Sequence, residues 1–185
     1  MLRFSTVIGL PVVSIKSGTK IAVVKDIIFD ANTKKLVGLV VHCKKLMFNN
    51  KIILIEDIMS AGINAILIED EDILISSEKL TQLPNTKKYW EEFIGTPVYS
   101  DNGVNIGEIQ DVSFDWELGL LEELEISDGV VQDLIEGRKI LPALESIELE
   151  QGIVIIDTHN MNQLKNSGKG IKKFLLEGSN EDGKK

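Results

Sequence analysis

Phe93–Ile126, "FIGTPVYSDNGVNIGEIQDVSFDWELGLLEELEI", repeats in order the punctuation of Val7–Val41, "VIGLPVVSIKSGTKIAVVKDIIFDANTKKLVGLVV". Gly9, Pro11 and Ser14 meet Gly95, Pro97 and Ser100 at the same spacing; after a one-residue adjustment Asp26, Phe29, Asp30 and Leu39 meet Asp111, Phe114, Asp115 and Leu124. Turn formers and apolar residues recur together, which generic strands do not produce by chance. Two long copies are too few for a stacked solenoid, so two similar small domains in tandem are expected.

Each copy carries the signals of short strands. "PVVSI" and "PVYS" open the units, and turns follow at "KSGTK" and "SDNGVN", where Gly18 and Asn102-Gly103 can take the positive φ of a tight hairpin. A strand, a turn and a strand come next, with turns at Asp30–Lys35 and Asp115–Gly119. A third pair closes each copy, "KIILIEDIMSAGINAILIED" and "RKILPALESIELEQGIVIID". Five or six strands separated by turns predict a mainly β chain of two small antiparallel barrels. In Leu120–Ile126 alternation sets Glu122 with Leu124 and Ile126, and Glu123 and Glu125 with Leu121, so the faces separate only partly.

The expected boundaries are 1–80 for the first barrel, 81–94 for a linker with a short helix, 95–158 for the second barrel and 159–185 for a polar, flexible tail. Between the copies, in "SSEKLTQLPNTKKYWEEF", Ser76 or Ser77 is placed to cap one helical turn before Pro84 and "TKKYWEEF" forms another. Tyr89, Trp90 and Phe93 are the candidate inter-barrel contacts. In the tail, Ile171, Phe174 and Leu175 allow one amphipathic turn, which folds against a partner or against the acidic second barrel.

At 185 residues and 43% hydrophobic content the chain has enough apolar material for a core. Its apolar runs are far shorter than the roughly 20 residues of a membrane-spanning helix. The start "MLRFSTVIGLPVV" mimics a weak signal peptide, but Gly9 and Pro11 belong to the repeat, so it is read as part of a folded unit. One cysteine, Cys43, allows no intrachain disulfide, and a cytoplasmic protein is expected.

The net charge of −9 is uneven: residues 1–80 balance at +1, 95–157 at −13 and 158–185 at +3. An acidic second unit repels nucleic acid phosphate and favours a basic partner. Glu117, Glu122, Glu123 and Glu125 are its candidate interaction surface. Lys34, Lys35, Lys44, Lys45 and Lys51 in the first copy are read as a solvated surface rather than a nucleic-acid face.

Catalytic readings are weak. His42 and His159 are the only histidines, and His42 and Cys43 on one strand point to opposite sides, which excludes a dyad. No pair of Cys or His has zinc-ligand spacing, no EF-hand spacing frames the acidic residues, and "GVNIG" lacks the lysine of a phosphate loop. Asp26, Asp30, Asp111 and Asp115 are read as turn carboxylates accepting backbone N–H groups rather than as catalytic pairs. Neither a cofactor, a metal nor a catalytic residue is assigned.

These residues resemble the PRC-barrel family. The resemblance lies in Gly95, Pro97 and Val98, in Gly107, Ile109, Asp111, Val112, Phe114 and Asp115, and in Ile140, Leu141 and Pro142. It covers residues 7–80 and 93–158; the first copy departs from it, with Ala22 at the position of Gly107 and Leu54 at that of Pro142. The family's barrels in the photosynthetic reaction centre H subunit and in the ribosome maturation factor RimM are assembly elements and not catalysts. The resemblance therefore implies a non-enzymatic adaptor or scaffold that binds another protein. Two alternatives stand beside it: a small-ligand or ion-binding regulator with a pocket near Trp90 and Trp116, and a ribosome- or RNA-processing factor. Exposed barrel edges leave a homodimer open.

Overall fold

The computed structural model describes residues 2–30, 32–43, 50–76, 87–89, 93–142, 148–149, 152–157 and 161–167. The chain divides into two compact units, Met1–Glu92 with Ser113–Leu121, and Phe93–Val112 with Glu122–Lys185. The hairpin end of the second repeat thus belongs to the first unit.

The first copy contains β1 (Leu2–Arg3), α1 (Phe4–Val7), β2 (Pro11–Ser14), β3 (Thr19–Asp30), β4 (Leu36–Cys43), β5 (Asn50–Leu54), β6 (Ile58–Ala61), β7 (Ile66–Ile68) and β8 (Ile75–Ser76). Its sheet is ordered β6-β7-β2-β3-β4-β5-β8. After β9 (Lys87–Tyr89), the second copy supplies β10 (Pro97–Ser100), β11 (Asn105–Asp115), β12 (Leu120–Ser127), α2 (Val130–Glu136), β13 (Lys139–Pro142), β14 (Glu148–Leu149), β15 (Val154–Ile156) and β16 (Lys165–Asn166). Its order, β14-β15-β10-β11-β12-β13-β16, reproduces the first strand for strand. Each sheet curls as a half-barrel.

Among the described residues pairing is antiparallel except between β2 and β7 (Val12↔Ile66) and between β10 and β15 (Val98↔Val154). Both copies slip register at the same place, between Val12 and Val13 and between Val98 and Tyr99. Such bulges bend the strand and help a sheet to curl. The turn glycines behave as their sequence implies: Gly18 has φ +65° and Gly103 +81°.

The buried apolar residues are repeated as well. Val12, Val24, Ile27, Phe29, Leu39, Val41, Ile53, Ile66 and Ile68 match Val98, Ile109, Val112, Phe114, Leu124, Ile126, Leu141, Val154 and Ile156, all buried. They alternate along each strand, so one sheet face closes on a core. The first copy also has a second apolar layer: Ile28, Val40 and Ile52, with Val37, Leu54 and Ile75 against them. At the corresponding positions of the second copy stand Ser113, Glu125 and Ile140 for the first three, and Glu122 and Pro142 for Val37 and Leu54.

Three expectations change. Lys87–Tyr89, expected to be helical, forms β9 and pairs with Ile28–Asp30 of β3; an open strand edge supplies hydrogen bonds that one isolated helical turn cannot match. Ser76, a candidate helix cap, lies in β8, paired with Lys51, while Ser77 falls outside the described residues. Part of the expected tail is ordered on the second sheet, where β16 pairs with β13 (Lys139↔Asn166).

Candidate functional site

The β3–β4 and β11–β12 hairpins carry most of the residues that the sequence singles out. In the first, Asp30 Oδ1 accepts hydrogen bonds from the backbone N–H groups of Asn32 and Thr33, both at 3.0 Å. In the second, Asp115 Oδ1 accepts from Leu118 N–H at 2.9 Å. These aspartates cap their turns, as expected. Asp26 and Asp111 lie buried inside β3 and β11, where their Oδ1 atoms accept from Ile27 N–H (2.7 Å) and Val112 N–H (2.9 Å). Replacing Asp30 by alanine is expected to lower stability by about 1–2 kcal/mol, the loss of a local cap. Urea unfolding measures it, and a change within experimental error would contradict the capping role.

Both turns close through a left-handed residue, Lys34 (φ 55°) in the first hairpin and Gly119 (φ 64°) in the second. Within the first unit the two turns pair: Leu36 N–H donates to Gly119 O at 2.8 Å, and Leu121 N–H donates to Lys34 O at 3.0 Å. The short β1 also pairs with the end of β11 there (Leu2↔Phe114, Arg3↔Ser113). Lys34 is buried, which corrects its reading as a solvated surface lysine. Lys35 is exposed and Lys51 half-buried; Lys44 and Lys45 lie outside the described residues.

The four candidate glutamates differ in environment. Glu117 is exposed at the tip of its hairpin, and Glu122 and Glu123 are half-buried. Successive residues on β12 put Glu122 and Glu123 on opposite sides. Glu125 is only 6% exposed, and Arg138 of the adjoining loop lies 3.8 Å from its Oε1. It occupies the position of the apolar Val40 and is engaged within its own unit, so it does not offer a free carboxylate. The signal lay in the alternation, which already set Glu125 beside Leu121; its partner, thirteen residues on, is not visible in a strand pattern.

Phe93 is buried within the second unit. Tyr89 contributes backbone to β9, and Trp90 lies outside the described residues. Trp116 is half-buried and tilts against Phe114, with ring centroids 5.9 Å apart. His42 and Cys43 fall on opposite sides of β4, with Cys43 buried. Burial pushes the Cys43 thiol above its usual pKa, disfavouring the thiolate that nucleophilic chemistry requires. Among the described residues no three His, Cys, Asp or Glu side chains gather to hold a metal ion, and no helix is long and apolar enough to cross a membrane.

Sequence reasoning missed α2. Its signals were available: Gly129 and Gly137 bracket Val130, Val131, Leu134 and Ile135, and the Gly137 N–H donates to Asp133 O at 2.9 Å to end the helix.

The PRC-barrel domain profile matches residues 1–82 and again residues 85–161. The uncharacterized protein YrrD of Bacillus subtilis (strain 168) is 26% identical over 152 residues, which cover 80% of this chain and 83% of YrrD. With the duplicated strand order, the repeated core and two profile matches spanning most of its length, the chain belongs to the PRC-barrel domain family.

Proposed function

We propose that this chain is a non-catalytic cytoplasmic adaptor that binds a basic protein through carboxylates of its second repeat. Glu117, Glu122 and Glu123 form no ion pair among the described residues, within a stretch, 95–157, that balances at −13. Unpaired acidic side chains on a compact β scaffold favour encounter with a basic surface and disfavour a polyanion. Glu125, held by Arg138, is left out of the proposed contact.

The experiment is a mild crosslinking capture of the tagged protein from its native cells, run beside a Glu117→Gln/Glu122→Gln/Glu123→Gln variant. The wild type is expected to retain a basic protein that the variant loses, with affinity lowered roughly tenfold, since rim charges contribute about 0.2–1 kcal/mol each. Capture unaffected by the three substitutions would remove these carboxylates from the interface.

A further inference from the structure

An amphipathic surface helix ordinarily turns its apolar stripe inward and its charges outward. α2 does the reverse. Asp133 faces the sheet, accepting a hydrogen bond from Ser127 Oγ at 2.7 Å with Arg138 Nε 3.5 Å away. Val130, Val131, Leu134 and Ile135 are exposed to solvent at 77, 71, 57 and 44%, and none of the helix is buried. Seven residues do not hold a helix on propensity alone, and an outward apolar stripe adjoining a folded unit calls for a cover.

The course of the chain indicates which segment supplies it. β16 pairs with β13, and Ser167 N–H donates to Arg138 O at 2.7 Å, immediately after the end of α2. The residues that follow lie outside the described ones and read "GKGIKKFLLEGSNEDGKK". Four extended steps from Ser167 to Ile171 reach at most about 14 Å, whereas α2 is about 10 Å long. Ile171, Phe174 and Leu175 are spaced for one helical face, and Lys169, Lys172 and Lys173 accompany them. The carboxylates beside the stripe are engaged locally, Asp128 with Lys139 at 2.8 Å and Asp133 with Arg138 at 3.5 Å, so the stripe itself is apolar. A second copy would have to bring its own segment across, whereas this chain leaves Ser167 beside Arg138, within reach of the stripe.

We infer that residues 171–175 of the same chain dock on the apolar stripe of α2, formed by Val130, Val131, Leu134 and Ile135. Amide hydrogen exchange on the full chain, alone in buffer, tests this against a Phe174→Asp/Leu175→Asp variant. The wild type is expected to protect the α2 amides, and the variant to exchange them at least tenfold faster, with the β11 amides of Ile109 and Val112 unchanged as a control. Equal α2 exchange in both proteins, whether protected or not, would overturn the proposal. A second measurement uses the full chain carrying Cys43→Ser, Leu134→Cys and Phe174→Cys. Mild oxidation is expected to close an intramolecular disulfide in the monomer. Two free thiols would overturn the proposal, and so would an intermolecular disulfide, which assigns the cover to a second copy.

Discussion

Phe29→Ala is expected to lower stability by about 3–5 kcal/mol, and Phe114→Ala by a similar amount. Both rings are fully buried and occupy the same position in the duplicated sequence, one residue before a turn-capping aspartate. Truncation removes the transfer free energy of the ring and leaves a cavity that two hydrogen-bonded strands cannot collapse to fill. Both residues fall in the first compact unit, because Ser113–Leu121 belongs to it. Denaturant unfolding of each variant provides the number; a loss below about 1 kcal/mol at either site would contradict a core role for that ring.

Gly107→Ala is expected to be comparably damaging, at about 3–5 kcal/mol. Gly107 has φ +138°, a conformation L side chains rarely adopt. A Cβ there would run into the carbonyl oxygen of Ser127 and lie 2.8 Å from its carbonyl carbon, atoms of a paired strand that cannot swing aside. The first repeat provides the control. Ala22 occupies the corresponding position without a positive φ and sits buried opposite Cys43 of β4. Ala22→Gly should therefore lose only about 0.5–1 kcal/mol, the entropy of a strand glycine. If the two substitutions shift the unfolding midpoint equally, the close approach at Gly107 is not what demands glycine there.

The repeated Gly, Pro, Asp and Phe positions made the duplication, the hairpins and the family legible, because turn chemistry and core packing are local or strictly periodic. The parallel pairs β2–β7 and β10–β15 were not, since a strand alternates with period two whichever way its neighbour runs. Lys87–Tyr89 carries no strand pattern of its own; the edge of β3 decides its conformation. The acidic cluster was legible as a composition and not as a surface. Glu125 lies buried beside Arg138, and Lys34 in a turn that pairs with Gly119–Leu121, contacts set by tertiary structure. α2 was within reach of pattern reading, but its stripe faces outward, so the usual inference from apolar spacing to core would have misplaced it.

The proposed function stands or falls on electrostatic recognition by Glu117, Glu122 and Glu123. Its most direct test is the affinity of the purified partner for the wild-type chain and for the triple Gln variant, each measured at low and at high salt. The wild type is expected to bind tightly and with strong salt dependence, and the variant more weakly with a shallower salt dependence. Equal affinity and equal salt dependence in the two proteins would contradict it.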